Sequence, residues 1–162
     1  MSKTLNRLSV KNQEKDEWCW ASVGAAIANF YRTTGGLMSQ CSVANKELPD
    51  NDCCNDPDSC NLERSLGHVL GAVRHLDQKV CGPSCAKSIV DKIDHDSPVC
   101  VRIKWQDETG HFVAIKGYDD THPDIYLLIA DPDGGKECIT PFKSFLTQYK
   151  GSGSWTHTYF TK

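Results

Sequence analysis

The chain has 162 residues, a net charge of −3 and a pI near 6, which is enough length for one domain with a true hydrophobic core. Its lysines and arginines are scattered, with no basic run, which argues against a nucleic-acid-binding surface. No apolar stretch approaches membrane-spanning length, and the polar start Met1 to Lys11 has no signal-peptide apolar segment. The chain is then cytosolic at birth, has lost a leader, or uses a secretion route that needs none.

Residues 1–12 read as an N-terminal arm and residues 13–162 as a single domain. From Trp18 the pattern turns helical, with Trp20, Val23, Ile27 and Phe30 at i, i+3, i+7 and i+10. Small residues between them (Ala21, Gly24, Ala25, Ala26, Ala28) allow close packing by neighbours, and the helix should stop near Gly35-Gly36. Residues 37–60 are polar and read mainly as loop, with room for a short helix over 39–46. Asn61 is a good N-cap for a helix whose apolar face is Leu62, Leu66, Val69, Leu70 and Val73. A short helix is predicted over 84–93, and Pro98 marks the change to strand. Val99, Val101 and Ile103 alternate with Cys100, Arg102 and Lys104. Strands over 111–118 and 125–130 follow, joined by a turn over 119–124. Asp133-Gly134-Gly135 is a tight turn, 142–149 a short helix and 156–160 a last strand. Helices first and an antiparallel sheet second make an α+β fold with segregated halves and room for a cleft between them.

Nine cysteines are many, and the odd number is informative. One thiol kept free for chemistry leaves eight, enough for four bridges. Cys41, Cys53, Cys54 and Cys60 cluster in a polar loop, Cys81 and Cys85 flank Gly82-Pro83-Ser84, and Cys100 and Cys138 sit in predicted strands. The loop cluster can be disulfide-bonded, reduced and buried, or zinc-bound. No pair has the C-x2-C spacing of common zinc modules, so zinc is the weakest of the three. The acidic runs at 50–58 and 119–124 lack the spaced ligands of a calcium loop and read as solvated.

Gln13 stands six residues before Cys19, which opens Cys19-Trp20-Ala21. A glutamine at that offset can reach back over the thiol and donate to a developing oxyanion. A thiol at a helix start is favoured as thiolate by the helix dipole and by free backbone N–H groups. His111 opens the alternating strand His111-Phe112-Val113-Ala114-Ile115-Lys116-Gly117-Tyr118, and Asp131 ends the next apolar run. Cys, His and Asp with an upstream Gln supply a nucleophile, a base, an orienting carboxylate and an oxyanion donor. Gly110 allows close approach to His111, and Val113 and Ile115 share its strand face. Of the other histidines, His157 at the start of the last strand is the serious competitor. Asp131 also fits a turn, since Asp-Pro-Asp-Gly is a strong turn signal, and Asp119 or Asp120 is the fallback. Trp105 either lines the cleft or caps its strand.

These residues resemble the papain-like cysteine peptidases, and most closely the short bacterial branch that includes an avirulence effector injected into plant cells. The likeness rests on Gln13 with its offset, the Trp18-Cys19-Trp20-Ala21 entry, the Gly110-His111-Phe112-Val113 strand, its Gly117-Tyr118 end and Asp131-Pro132. It spans most of the chain from Gln13 to the final strand. The chain departs from the plant and animal enzymes in having Asp as third residue, in lacking their Asn-Ser-Trp segment, and in its shorter length. The resemblance implies a papain-like catalytic domain over 13–162, acting as an endopeptidase on a protein or peptide substrate. It implies catalysis by Cys19, His111, Asp131 and Gln13 without metal or cofactor, and a monomer with neither nucleic-acid nor membrane partner. A bacterial effector, secreted or delivered into another cell, is implied by the resemblance alone. Cys-His-Asp sites also serve transglutaminases, deamidases, acyltransferases and amidases, and a Cys-rich secreted binding module is the non-enzyme alternative.

Overall fold

A computed structural model describes all residues, 1–162. Helices dominate the first half and strands the second: β1 (Ser2–Thr4), α1 (Cys19–Tyr31), α2 (Gln40–Glu47), α3 (Leu66–Ala72), β2 (Leu76–Cys81), α4 (Ala86–Asp94), β3 (Val99–Lys104), β4 (Gly110–Asp119), β5 (Tyr126–Asp131), β6 (Lys136–Pro141), α5 (Phe142–Thr147) and β7 (Ser154–Thr161), with a 3-10 turn over Pro57–Cys60. The α+β reading holds, with every strand pair antiparallel.

The sheet order is β2-β7-β3-β4-β5-β6, with β1 added to β4. β3 leaves β4 at the pair Val99 and Ile115, and β1 takes over from Gly117 to Asp119. This pairing needs Gly117, because a Cβ there would lie 2.7 Å from the Lys3 carbonyl oxygen. The arm of residues 1–12 therefore packs into the body, and Leu5, Leu8 and Val10 are buried. β4 is buried along almost its whole length, on both faces, because α1 packs on one of them. α1 is buried nearly all round, as its small residues require. A Cβ on Gly24 would stand 2.7 Å from a Val69 methyl of α3.

Two boundaries differ from the sequence reading, which also omits β1 and β2. α1 ends at Tyr31, before Gly35-Gly36. α3 starts at Leu66, with Ser65 rather than Asn61 at its N-cap position. The Asn61 side chain instead accepts the Glu17 N–H at 2.9 Å. β1 and β2 have no period in the sequence. β2 is an edge strand whose residues are mostly exposed, and its place comes from pairing with β7, about eighty residues later.

The loop cysteines pair as Cys41–Cys54 and Cys53–Cys60. The other five are free thiols, so there are two bridges rather than four. Cys100 on β3 and Cys138 on β6 are separated by β4 and β5. At about 4.8 Å per strand that is roughly 14 Å, well beyond the reach of a disulfide.

Candidate active site

Cys19 is the first residue of α1, at a helix start that no side chain caps. It is buried, with 8 % of its surface exposed. Its neighbours fix it through the disulfide-bonded loop. The buried Trp18 indole N–H donates to the Cys60 carbonyl at 2.8 Å, and the Trp20 indole N–H to the Leu62 carbonyl at 2.8 Å. Lys15 pairs with Asp58 at 2.7 Å. The polar loop thus clamps the peptide that carries the thiol, and Cys53–Cys60 closes the clamp.

His111 lies on β4 opposite Ile103, with its ring almost fully buried. Its Nε2–H donates to Asp131 Oδ1 at 2.7 Å. That leaves Nδ1 as the ring nitrogen free of Asp131, and Cys19 lies close enough to influence the imidazole. Burial alone would push the His111 pKa down. The hydrogen bond to Asp131 and the nearby Cys19 outweigh burial and raise it from 6.5 to about 9. Trp105 stacks on the ring at a centroid distance of 6.1 Å and continues onto Tyr149 at 6.2 Å. It lines the cleft, which answers the question its sequence position left open.

Asp131 is the most fully satisfied group in the site. Oδ1 also accepts the Asp133 main-chain N–H at 2.8 Å, and Oδ2 accepts the Tyr149 hydroxyl at 2.6 Å and lies 3.0 Å from Lys150 Nζ. Burial opposes its ionisation, but His111 and these donors hold its carboxyl well below the usual carboxylate range. Burial and the adjacent carboxylate push Tyr149 far upward, so its hydroxyl stays a donor. Nothing in the sequence marks Tyr149 and Lys150 as partners of Asp131. They return to it because the turn over 149–153 closes on itself through main-chain bonds between Tyr149 and Gly153.

The fallback carboxylates lie elsewhere. Asp119 binds Thr121 in its own turn, and Asp120 pairs with the amino terminus. His157 lines the cleft beside Cys19 but its Nδ1 has only Thr156 Oγ1 as partner, at 3.0 Å, and it has no carboxylate. Burial and the charges of Lys79 and Arg102 lower its pKa.

Gln13 is near but engaged. Its Nε2 donates to the carbonyls of Lys15 at 3.0 Å and Asp16 at 2.6 Å. Its main-chain N–H donates to Pro132 at 2.9 Å, which ties the Gln13 loop to the end of the Asp131 strand. Gly135 makes that approach feasible: with φ +60, it has no room for a Cβ, which would lie 2.6 Å from the Asn12 nitrogen. Gln13 and His111 line one cavity of about 660 Å³, and Cys19 lines a second of about 500 Å³. The two share Glu17, Glu63 and Gly110, so they form one groove between the halves of the molecule.

Among solved structures, one determined to explain the limited antibody cross-reactivity between the mite allergens Blo t 1 and Der p 1 aligns with a TM-score of 0.60. It is 12 % identical and covers 99 % of this chain and 70 % of that one. The Pseudomonas avirulence protein AvrPphB aligns over 98 % of this chain and 100 % of its own, at 12 % identity and a TM-score of 0.45. No curated protein sequence matches. The model of the Peptidase_C39-like family matches residues 6–157. With nearly the whole sequence inside that match, the chain belongs to the Peptidase_C39-like family, and its fold is papain-like.

Proposed function

We propose that Cys19, His111, Asp131 and Gln13 hydrolyse internal peptide bonds of a protein substrate. The observation that carries this is the orientation of His111: Nε2 is bound to a buried carboxylate and the other ring nitrogen is left for the thiol of Cys19. In this reading His111 takes the Cys19 proton before substrate binds, and Asp131 holds the resulting imidazolium. The thiolate attacks the scissile carbonyl carbon and the C=O electrons move onto oxygen. The Gln13 amide exchanges a loop carbonyl for that oxyanion, beside the Cys19 main-chain N–H. The tetrahedral adduct collapses, the C–N bond breaks, and His111 delivers its proton to the leaving amine. Water then gives a proton to His111 and its hydroxyl to the thioester, which releases the acid and restores Cys19.

Cys85 complicates a simple labelling test. It is exposed, and the Ser88 hydroxyl at 3.2 Å helps to lower its pKa below the usual thiol value. The experiment therefore uses Cys81→Ser/Cys85→Ser protein, iodoacetamide near neutral pH and peptide mapping, with product analysis on a peptide library. Cys19 should label first, and new amino termini should appear only while Cys19 is free. An unlabelled Cys19 removes the nucleophile assignment, and acyl transfer without new amino termini moves the enzyme to the transferases. We infer also that the protein acts after secretion, since two disulfides form and persist in oxidising surroundings. Secreted protein recovered with Cys41, Cys53, Cys54 and Cys60 reduced would exclude that.

A further inference from the structure

The groove carries opposite charge at its two ends. At the Cys19 end, Lys79 of β2 and Arg102 of β3 face the cavity with His157 and Tyr159. Neither cation has a carboxylate partner. The Arg102 guanidinium donates to Thr156 Oγ1 at 3.1 Å and packs under Gly110, where a Cβ would come within 2.7 Å of it. Lys79 Nζ lies 6.0 Å from the centre of the Tyr159 ring. Their joint field reaches His157, whose pKa both of them lower. Arg64 lines the same cavity but is already paired with Glu47.

The His111 end is acidic. Glu14, Asp16, Glu17, Glu63 and Asp133 line it, and its one lysine, Lys15, is tied to Asp58. Lys150 reaches Asp133 at 3.4 Å, but the four glutamate and aspartate side chains of 14, 16, 17 and 63 have no cation in ion-pair contact. Glu17 and Glu63 stand at the junction between the two ends.

The chemistry of the site gives this polarity a direction. The acyl part of the substrate stays on Cys19, which lines the basic end, and the leaving amine takes its proton from His111, which lines the acidic end. We propose that the groove reads charge across the scissile bond: an acidic side chain on the amino-terminal side, held by Lys79 and Arg102, and a basic side chain on the carboxy-terminal side, held by the carboxylates of the Gln13 loop and Glu63. A reversed sequence sets like charge against like at both ends and is rejected. This inference rests on the hydrolytic reading for its direction, and its test separates the two.

Fluorescence anisotropy with Cys19→Ala protein measures binding without turnover. Two labelled peptides of identical composition, one with glutamates before lysines and one reversed, isolate the order of charge. The acidic-first peptide should bind about tenfold more tightly at low salt, and the gap should shrink at high salt. Lys79→Glu, an exposed position on an edge strand, should narrow or invert it. Equal affinity for the two orders, or an unchanged gap in Lys79→Glu, overturns the proposal. Wild-type enzyme on a proteome-derived peptide mixture supplies the second arm: Asp or Glu should be enriched before the cut and Lys or Arg after it. Order-dependent binding with no cleavage would leave the charge reading standing and remove the hydrolytic one. Cleavage with no charge preference would do the reverse.

Discussion

The two walls of the groove are built by different means. The cysteine wall is a short helix start pinned from outside: two indole N–H groups donate to carbonyls of a polar loop, and that loop is closed by Cys41–Cys54 and Cys53–Cys60. The histidine wall is an antiparallel ladder with a buried charge network on it, in which Asp131 serves His111, Tyr149 and Lys150 at once. Cys19 is thus held by a disulfide-closed loop together with helix packing, and His111 by electrostatics. Removing a group from one wall should therefore fail differently from removing a group from the other.

Cys19→Ala sets the upper limit. Hydrolysis should fall by about 10⁴–10⁶, as for loss of a nucleophile, while the melting temperature stays near that of wild type, because the Trp18 and Trp20 contacts that hold the wall are untouched. A large drop in melting temperature would mean that the thiol itself holds the wall. Asp131→Ala should lower both quantities. It strips the acceptor from His111, Tyr149 and Lys150, and leaving buried charge uncompensated costs about 3–5 kcal/mol, with about 10²–10⁴ in kcat. Asp131→Asn still offers an oxygen and should lose less of each. Asp131→Ala with full activity would move the orienting role off this wall.

Gln13→Ala is the sharpest probe of the junction between the walls. The expected loss is about 10²–10³ in kcat with little change in KM, because in the proposed role the amide meets the oxyanion only as it forms. Gln13 also braces its own loop through Lys15 and Asp16. A loss confined to KM, or a fall in melting temperature that accounts for the lost rate, would assign it the bracing role alone.

The difference between the walls also governs what the sequence discloses. α1 is visible because its period and its small residues are local, and the strands of His111 and Asp131 are visible because alternation is local. The meeting of His111 and Asp131 is foreseeable from two adjacent antiparallel strands. β1 escapes notice because three residues have no period, and β2 because its outward residues are polar, as on any exposed edge. Asn61 has the right chemistry for a helix cap, but its side chain serves the Glu17 N–H instead, a contact across 44 residues. Tyr149 and Lys150 are unmarked because their link to Asp131 depends on the closure of a distant turn. Pairing in the 41–60 loop follows from proximity in the sequence, whereas Cys100 and Cys138 are kept apart by the order of the strands.

The smallest effects cross the comparison most directly. Cys53→Ser/Cys60→Ser opens the clamp on the cysteine wall. It should cost about 2–4 kcal/mol of stability but only a few-fold in rate below the melting transition, since helix packing still holds α1. The pH profile should not move, because Asp131 still holds His111 and the packing of α1 keeps Cys19 in place. The His111 pKa is raised from 6.5 to about 9 in the folded protein, so its pairing stabilises fully below about 6.5 and is lost as pH rises through about 9. Asp131 is held low, so its contribution is present above about 3.8 and fades as pH falls below that. The alkaline limb of kcat/KM should therefore lie near pH 9 in wild type and in the disulfide variant alike, and shift to lower pH in Asp131→Asn, where the charge that raises His111 is gone. A disulfide variant whose alkaline limb moves with its stability would show that the clamp reaches His111, and that the two walls are one cooperative unit.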